Sequence, residues 1–125
     1  MSGLTLDAGA LIGYERADRE VVGRLKHARQ VGSLVYVPAG VVGQVWRDGR
    51  RQAPLAQLLA SRNLRIRTLD PVAARMAGRL CGVTGTSDVI DASVVLCARE
   101  FETAIVTSDP HDLRRLDRTV DLIVV

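Results

Sequence analysis

Short apolar runs alternate with stretches of helical spacing along the whole chain. Leu4 to Leu6 reads as a short strand that ends at Asp7, and Ala8 to Tyr14 as a first helix. Asp18 to Val31 carries Val21, Val22, Leu25 and Ala28 at helical spacing. Leu34 to Val37 predicts a second strand, closed by Pro38, and Ala39 to Arg47 a helix with Val41, Val42 and Val45 on one face. Ala53 to Ala60 predicts another short helix. From Leu64 to Leu69, apolar residues alternate with Arg65 and Arg67, the pattern of a strand near a sheet edge. Asp70-Pro71 starts a helix, with Asp as the cap and Pro in the first turn. That helix is expected to reach about Cys81 and stop in the turn from Gly82 to Gly85. A helix over Asp88 to Arg99, a strand over Ala104 to Val106, a short helix from Thr107-Ser108-Asp109-Pro110 through Leu116 and a strand over Leu122 to Val125 complete the pattern.

Strands separated by helices pair in parallel through crossover connections, so the pattern predicts one doubly wound α/β layer domain over residues 1–125. In such sheets the ligand crevice lies beyond the carboxyl ends of the strands. Asp7 follows one strand directly and Asp109 follows another closely, which draws these two acids together.

A chain of 125 residues with 47% hydrophobic content can bury a core without disulfides or a structural metal. Cys81 and Cys97 form no CxxC pair and sit in apolar helical contexts, so reduced buried thiols in a cytoplasmic protein are expected. No apolar run approaches the roughly 18–20 residues of a membrane span, and Met-Ser-Gly-Leu-Thr-Leu-Asp lacks the basic and apolar regions of a secretory leader. Sixteen of the 17 basic residues are Arg, whose planar fork suits phosphate, but a net charge of +3 permits a nucleic-acid partner without demanding one. Aromatic residues make up only 3%, which argues against a base-stacking platform.

The candidate chemistry lies in the acids. Several carboxylates at one point repel each other unless a cation neutralises them. Mg²⁺ and Mn²⁺ favour oxygen ligands, and such an ion on a sheet's carboxyl edge suits phosphodiester cleavage. Each acid also has a plain structural explanation. Asp7 opens a helix. Asp88 and Asp91 are spaced as cap and third residue of the next, with Ser87 competing for the cap. Asp109-Pro110 repeats Asp70-Pro71. Asp91 adds something more specific, because it sits in the first turn of the nearly all-apolar helix Asp91-Ala-Ser-Val-Val-Leu-Cys-Ala98. Such a helix is expected in the core, with Asp91 pointing from it to the crevice, where a metal would offset the cost of a buried carboxylate.

Four features, in order, resemble PIN-domain proteins of the VapC toxin type. They are the strand ending in Leu6-Asp7; the Val37-Pro38-Ala39 junction with Val45-Trp46-Arg47 following; Asp91-Ala92 at the head of an apolar helix; and Ile105-Val106-Thr107-Ser108-Asp109-Pro110. The resemblance spans essentially the whole chain. It implies a PIN-like three-layer α/β/α fold with a central, mostly parallel sheet. It also implies an endoribonuclease dependent on Mg²⁺ or Mn²⁺, a small antitoxin partner and a homodimer. Asp7 and Asp91 are then the principal metal ligands, and Asp109 is a further acid acting directly or through water. Asp88 and Asp112 are neighbouring acids able to substitute or assist. The family's usual Glu in the helix after the Val-Pro junction is replaced by Gln44, which can orient a water but cannot act as a base. Arg47, Arg50 and Arg51 are candidates for binding the RNA backbone, or a solvated helix end. Thr107 and Ser108 are candidates for holding a phosphate, or simple helix caps.

The remaining motifs carry less. His27 and His111 have no metal-ligand spacing and are expected at the surface; Trp46 and Met76 are expected to pack. Gly82-Val-Thr-Gly85 lacks the ending of a phosphate loop, and no serine-hydrolase elbow occurs. Two rival readings stand beside the nuclease. One is a PIN-like domain that no longer cleaves and only binds an antitoxin or RNA. The other is a receiver-like regulator, disfavoured because the only lysine, Lys26, lies in an early helix.

Overall fold

All strands run parallel, and their order in the sheet is set by how the chain leaves its first strand. A computed structural model describes residues 3–125; Met1 and Ser2, the start of the segment read above for a leader, lie outside the described residues. The elements are β1 (Leu4–Leu6), α1 (Ala8–Glu15), α2 (Arg19–Val31), β2 (Val35–Pro38), α3 (Ala39–Val45), α4 (Ala53–Leu59), β3 (Leu64–Arg67), α5 (Pro71–Thr84), α6 (Val89–Phe101), β4 (Ala104–Thr107), α7 (Pro110–Leu116) and β5 (Leu122–Val124). The sheet order is β3-β2-β1-β4-β5. From β1 the chain builds outward to β2 and β3 on one side, then returns to add β4 and β5 on the other. The switch point therefore lies between β1 and β4, where Leu4, Thr5 and Leu6 pair with Ala104, Ile105 and Val106. The expected α/β architecture is borne out, with β3 at an edge.

The inner strands are covered on both faces. Thr5 turns towards α6: its hydroxyl lies 2.6 Å from that of Thr103 and 3.8 Å from Cys97 Sγ. Its neighbour Leu6 is fully buried, and α1 contacts both β1 and β4. Successive strand residues face opposite ways, so α1 and α6 lie on opposite faces of the sheet. The helix α6 packs on β1, β2 and β4 through Ala92, Val94, Val95, Cys97 and Ala98, as its apolar sequence predicts. Complete burial of a valine contributes roughly 1.5–3 kcal/mol, so Val94 and Val95 fix the position of this helix, and with it Asp91.

Local capping follows the sequence closely. Asp18 Oδ1 accepts the N–H groups of Glu20 and Val21, and Asp70 Oδ1 accepts that of Ala73. Two expectations are corrected. The helix α5 does not stop near Cys81 but continues through Gly82 to Thr84, and the left-handed residue that ends it is Gly85, at φ 71°. An interior glycine costs a helix only about 1 kcal/mol, too little to end it. Met76 is not core: it is 53% exposed, because α5 turns Ala77 and Cys81 inward instead. Both cysteines are buried and free, and both histidines are exposed. Among the described residues no single helix is long and apolar enough to cross a membrane.

Candidate active site

The carboxyl ends of β1 and β4 feed directly into helices, and both junctions carry an acid. Asp7 follows β1 and caps α1, its Oδ1 accepting the N–H of Ala10 at 2.9 Å. It is only 6% exposed. Burial pushes its carboxyl above the usual range, a hydrogen bond from the Thr107 hydroxyl opposes that, and the charge of Asp109 adds to it. Thr107, the last residue of β4, is wholly buried. Its hydroxyl also accepts the N–H of Asp109 at 2.8 Å. One side chain thus ties the two junctions together. Gly9 brings them closer still, since a Cβ there would collide with Ser108 Oγ.

Asp109 occupies the cap position of α7, yet its side chain makes no capping bond. It is exposed, and partial desolvation together with the neighbouring Asp112 raises its pKa. Asp88, in contrast, does cap: its Oδ1 accepts the N–H of Asp91 at 2.9 Å, as the spacing predicts. Asp91 is half-buried at the head of α6. Burial, followed by the charges of Asp88, Asp112, Asp7 and Asp109, pushes its carboxyl up to about 7. All five aspartates therefore lie within electrostatic reach of one point. None of them takes part in an ion pair among the described residues.

The cluster is open. Among the described residues no three acid, His or Cys side chains stand close enough to enclose an ion by themselves. Nor does a buried side-chain polar atom lack a partner among them. The case for a cation is therefore mutual repulsion between carboxylates, and not an orphaned buried charge as the apolar helix suggested. Hard oxygen donors with room for water suit Mg²⁺ or Mn²⁺, which bind through one or two carboxylates and keep several waters. Asp7, Asp91 and Asp109 supply such donors.

The other candidate residues separate clearly. Gln44 is exposed on α3, one turn beyond Gly40, where a Cβ would run into Ile90 at the start of α6. Residues four apart share a helix face, so Gln44 follows on the face that fronts the head of α6. Arg47, Arg50 and Arg51 are exposed in the segment after α3. The Arg47 guanidinium donates to the carbonyls of Gly43 and Trp46, and Arg51 lies 4.0 Å from Asp48. None of these contacts reaches the acids. Thr107 is not available to RNA, because its hydroxyl is buried and committed to Asp7 and Asp109. Ser108 is exposed beside Gly9.

Sequence reasoning missed two organising residues. Local sequence makes Thr107 only a phosphate ligand or a cap; its place at the end of an inner parallel strand, buried on both faces, is the signal of its wider role. Gln52 was not singled out. Its Oε1 accepts the N–H groups of Arg47 and Asp48, while its Nε2 donates to Glu15 and to the carbonyl of Val45. It fastens the arginine-bearing segment to the end of α1, and no local motif announces such a long-range bond.

No protein-family model matches the sequence, and no curated protein does. Solved structures do match. One is the crystal structure of VapBC2 from Rickettsia felis bound to a DNA fragment from their promoter. The likeness has a TM-score of 0.70 over 98% of this chain and 98% of that one, at 13% identity. A second is FitAB bound to an IR36 DNA fragment, with a TM-score of 0.65 over 97% and 94% of the two chains at 14% identity. A third is FitAcB from Neisseria gonorrhoeae, with a TM-score of 0.64 over 96% of each chain at 17% identity. The chain has their fold. The architecture expected from the VapC-type resemblance is thus borne out along the whole chain.

Proposed function

We propose that this protein is a divalent-metal-dependent endoribonuclease and the toxin of a type II toxin–antitoxin pair, acting in the cytoplasm. The observation that carries the reading is the set of five aspartates without an ion-pair partner among the described residues around the switch point, where burial and then the charges of the other four push Asp91 up to about 7. A nuclease site needs such a set to hold a cation against a phosphate, whereas a structural cap needs only one oxygen. Asp7 and Asp91 would hold Mg²⁺ or Mn²⁺, with Asp109 assisting directly or through water. When bound, the ion would lower the pKa of a ligated water and offset charge on the phosphate. Thr107 holds Asp7 and the Asp109 backbone in place. Asp88 fixes the first turn of α6 and adds negative charge. Gln44, neutral and exposed, is suited to orienting a water or a substrate hydroxyl.

That neutral side chain is also the specific observation behind a second reading, in which the domain binds an antitoxin or RNA without cleaving. Incubating total RNA with Mn²⁺ and the wild-type or Asp7→Asn protein separates the two. Cleavage by the wild type alone supports the nuclease; cleavage by neither supports the binding module. The antitoxin partnership draws on the VapBC2 and FitAB structures, and the acidic crevice is suited to receive a basic side chain. Co-expression with the product of the adjacent upstream reading frame tests it, with a complex on size exclusion as the expected result. The homodimer is proposed on the resemblance alone and is checked by the mass of the purified chain in solution.

A further inference from the structure

Beside the acids lies a crevice of about 290 Å³ whose walls include Thr86, Ser87, Asp88, Asp91, Asp112 and Arg115. Arg115 is exposed on α7, three residues after Asp112 and so on a neighbouring part of the same face. No ion pair among the described residues involves it, although three carboxylates line the same crevice. Two other arginines are engaged elsewhere: Arg99 pairs with Asp117 at 2.9 Å, and Arg114 donates to the carbonyl of Arg118. Arg115 is thus a guanidinium left with its donors free at the mouth of a strongly acidic site.

A phosphodiester strand entering such a site meets repulsion from every carboxylate that a metal does not neutralise. A guanidinium there offsets part of that repulsion and can grip two phosphate oxygens at once. The Ser87 hydroxyl in the same lining adds a neutral donor for the same strand. We propose that Arg115 is the residue that binds the RNA backbone in this crevice, holding a phosphate next to the one that is cut. This inference rests on the nuclease reading and names a contact that the acids themselves cannot make.

The test is the affinity of the full chain for a fluorescein-labelled single-stranded RNA with phosphorothioate linkages. It is measured by anisotropy in Mn²⁺ across a range of NaCl, for the wild type, Arg115→Ala, Arg115→Lys and Arg75→Ala; Arg75 is exposed on α5, outside the crevice. Arg115→Ala should bind about 10-fold more weakly, and its slope of log affinity against log salt should shrink by about 0.7, the loss of one phosphate contact on a single strand. Arg115→Lys should keep the slope, while losing part of the affinity with the bidentate grip. Arg75→Ala should match the wild type. Equal behaviour of Arg115→Ala and Arg75→Ala overturns the proposal and leaves the nuclease reading intact. A changed slope without Mn²⁺-dependent cleavage by the wild type upholds the phosphate contact and overturns the nuclease reading. No binding by the wild type overturns both.

Discussion

The chain uses the same four-residue pattern twice, and for different ends. Thr68-Leu69-Asp70-Pro71 links β3 to α5, and Thr107-Ser108-Asp109-Pro110 links β4 to α7. At the first, Asp70 caps its helix and lies 3.9 Å from Arg67, and Thr68 sits exposed beside the same arginine. At the second, Asp109 caps nothing, and Thr107 is buried and bonded across to Asp7. The difference comes from place in the sheet. β3 is an edge strand with solvent beyond it, whereas β4 lies against β1 at the switch point. A local sequence pattern offers an acid; the topology decides whether it serves the helix or faces other acids.

The largest expected effect tests whether the inner acids exist for charge. Asp91→Asn should lower Mn²⁺-dependent RNA cleavage by at least about 100-fold, since disturbing even the outer partners of a metal site typically costs 10–100-fold. Asp70→Asn should leave cleavage unchanged. Initial rates on one labelled RNA decide the matter, and equal rates for Asp91→Asn and the wild type would remove the functional half of the comparison.

The two threonines give the next contrast. Thr107→Val keeps the shape but strips the donor to Asp7 and the acceptor for the Asp109 N–H, so it should cost about 1–3 kcal/mol of stability, the penalty for unsatisfied buried groups. Thr68→Val, at an exposed position, should change stability by less than about 0.5 kcal/mol. Urea denaturation of both variants measures this, and similar midpoints would show that Thr107 is no tie between the junctions.

The sequence made much of this legible, for physical reasons. Hydrophobic periods and Asp or Gly at helix ends are local signals, so the strands, most helix limits and the caps at Asp70 and Asp88 could be read directly. Asp7 and Asp109 could be brought together because strand ends in a doubly wound sheet share one edge. Met76 could not be placed, because α5 shows apolar residues on more than one face and the choice of inward face depends on its partners. Gln52 and Thr107 act across 37 and 100 positions of sequence, on Glu15 and Asp7, which no short window contains.

The pH dependence of stability sharpens the contrast further. A carboxyl whose folded pKa is raised keeps its proton better in the native state, so stability falls as pH rises between the two values. For Asp91 that window runs from about 3.8 to about 7. In EDTA, Asp91→Asn should therefore match the wild type near pH 4 and exceed it at pH 7–8. The gain should be about 1–2 kcal/mol, reduced from the full shift because the group is half exposed and screened by water. Mg²⁺ should stabilise the wild type at pH 7–8 and not the variant. Thermal unfolding across pH shows whether the gap opens; a constant gap would mean that Asn acts through packing.

The smallest effect separates the two Asp-Pro junctions most directly. Asp70→Ala removes a capping oxygen 2.8 Å from the Ala73 N–H and should cost about 1 kcal/mol, with cleavage unaffected. Asp109→Ala removes no cap and relieves repulsion with Asp112 and Asp91, so stability should stay level or rise slightly while cleavage falls. Opposite signs in the two measurements are what a shared pattern with divided roles requires. If Asp109→Ala lost the same stability as Asp70→Ala, the residue would be a second helix cap after all, and the acid after β4 would owe its place to α7 and not to the crevice.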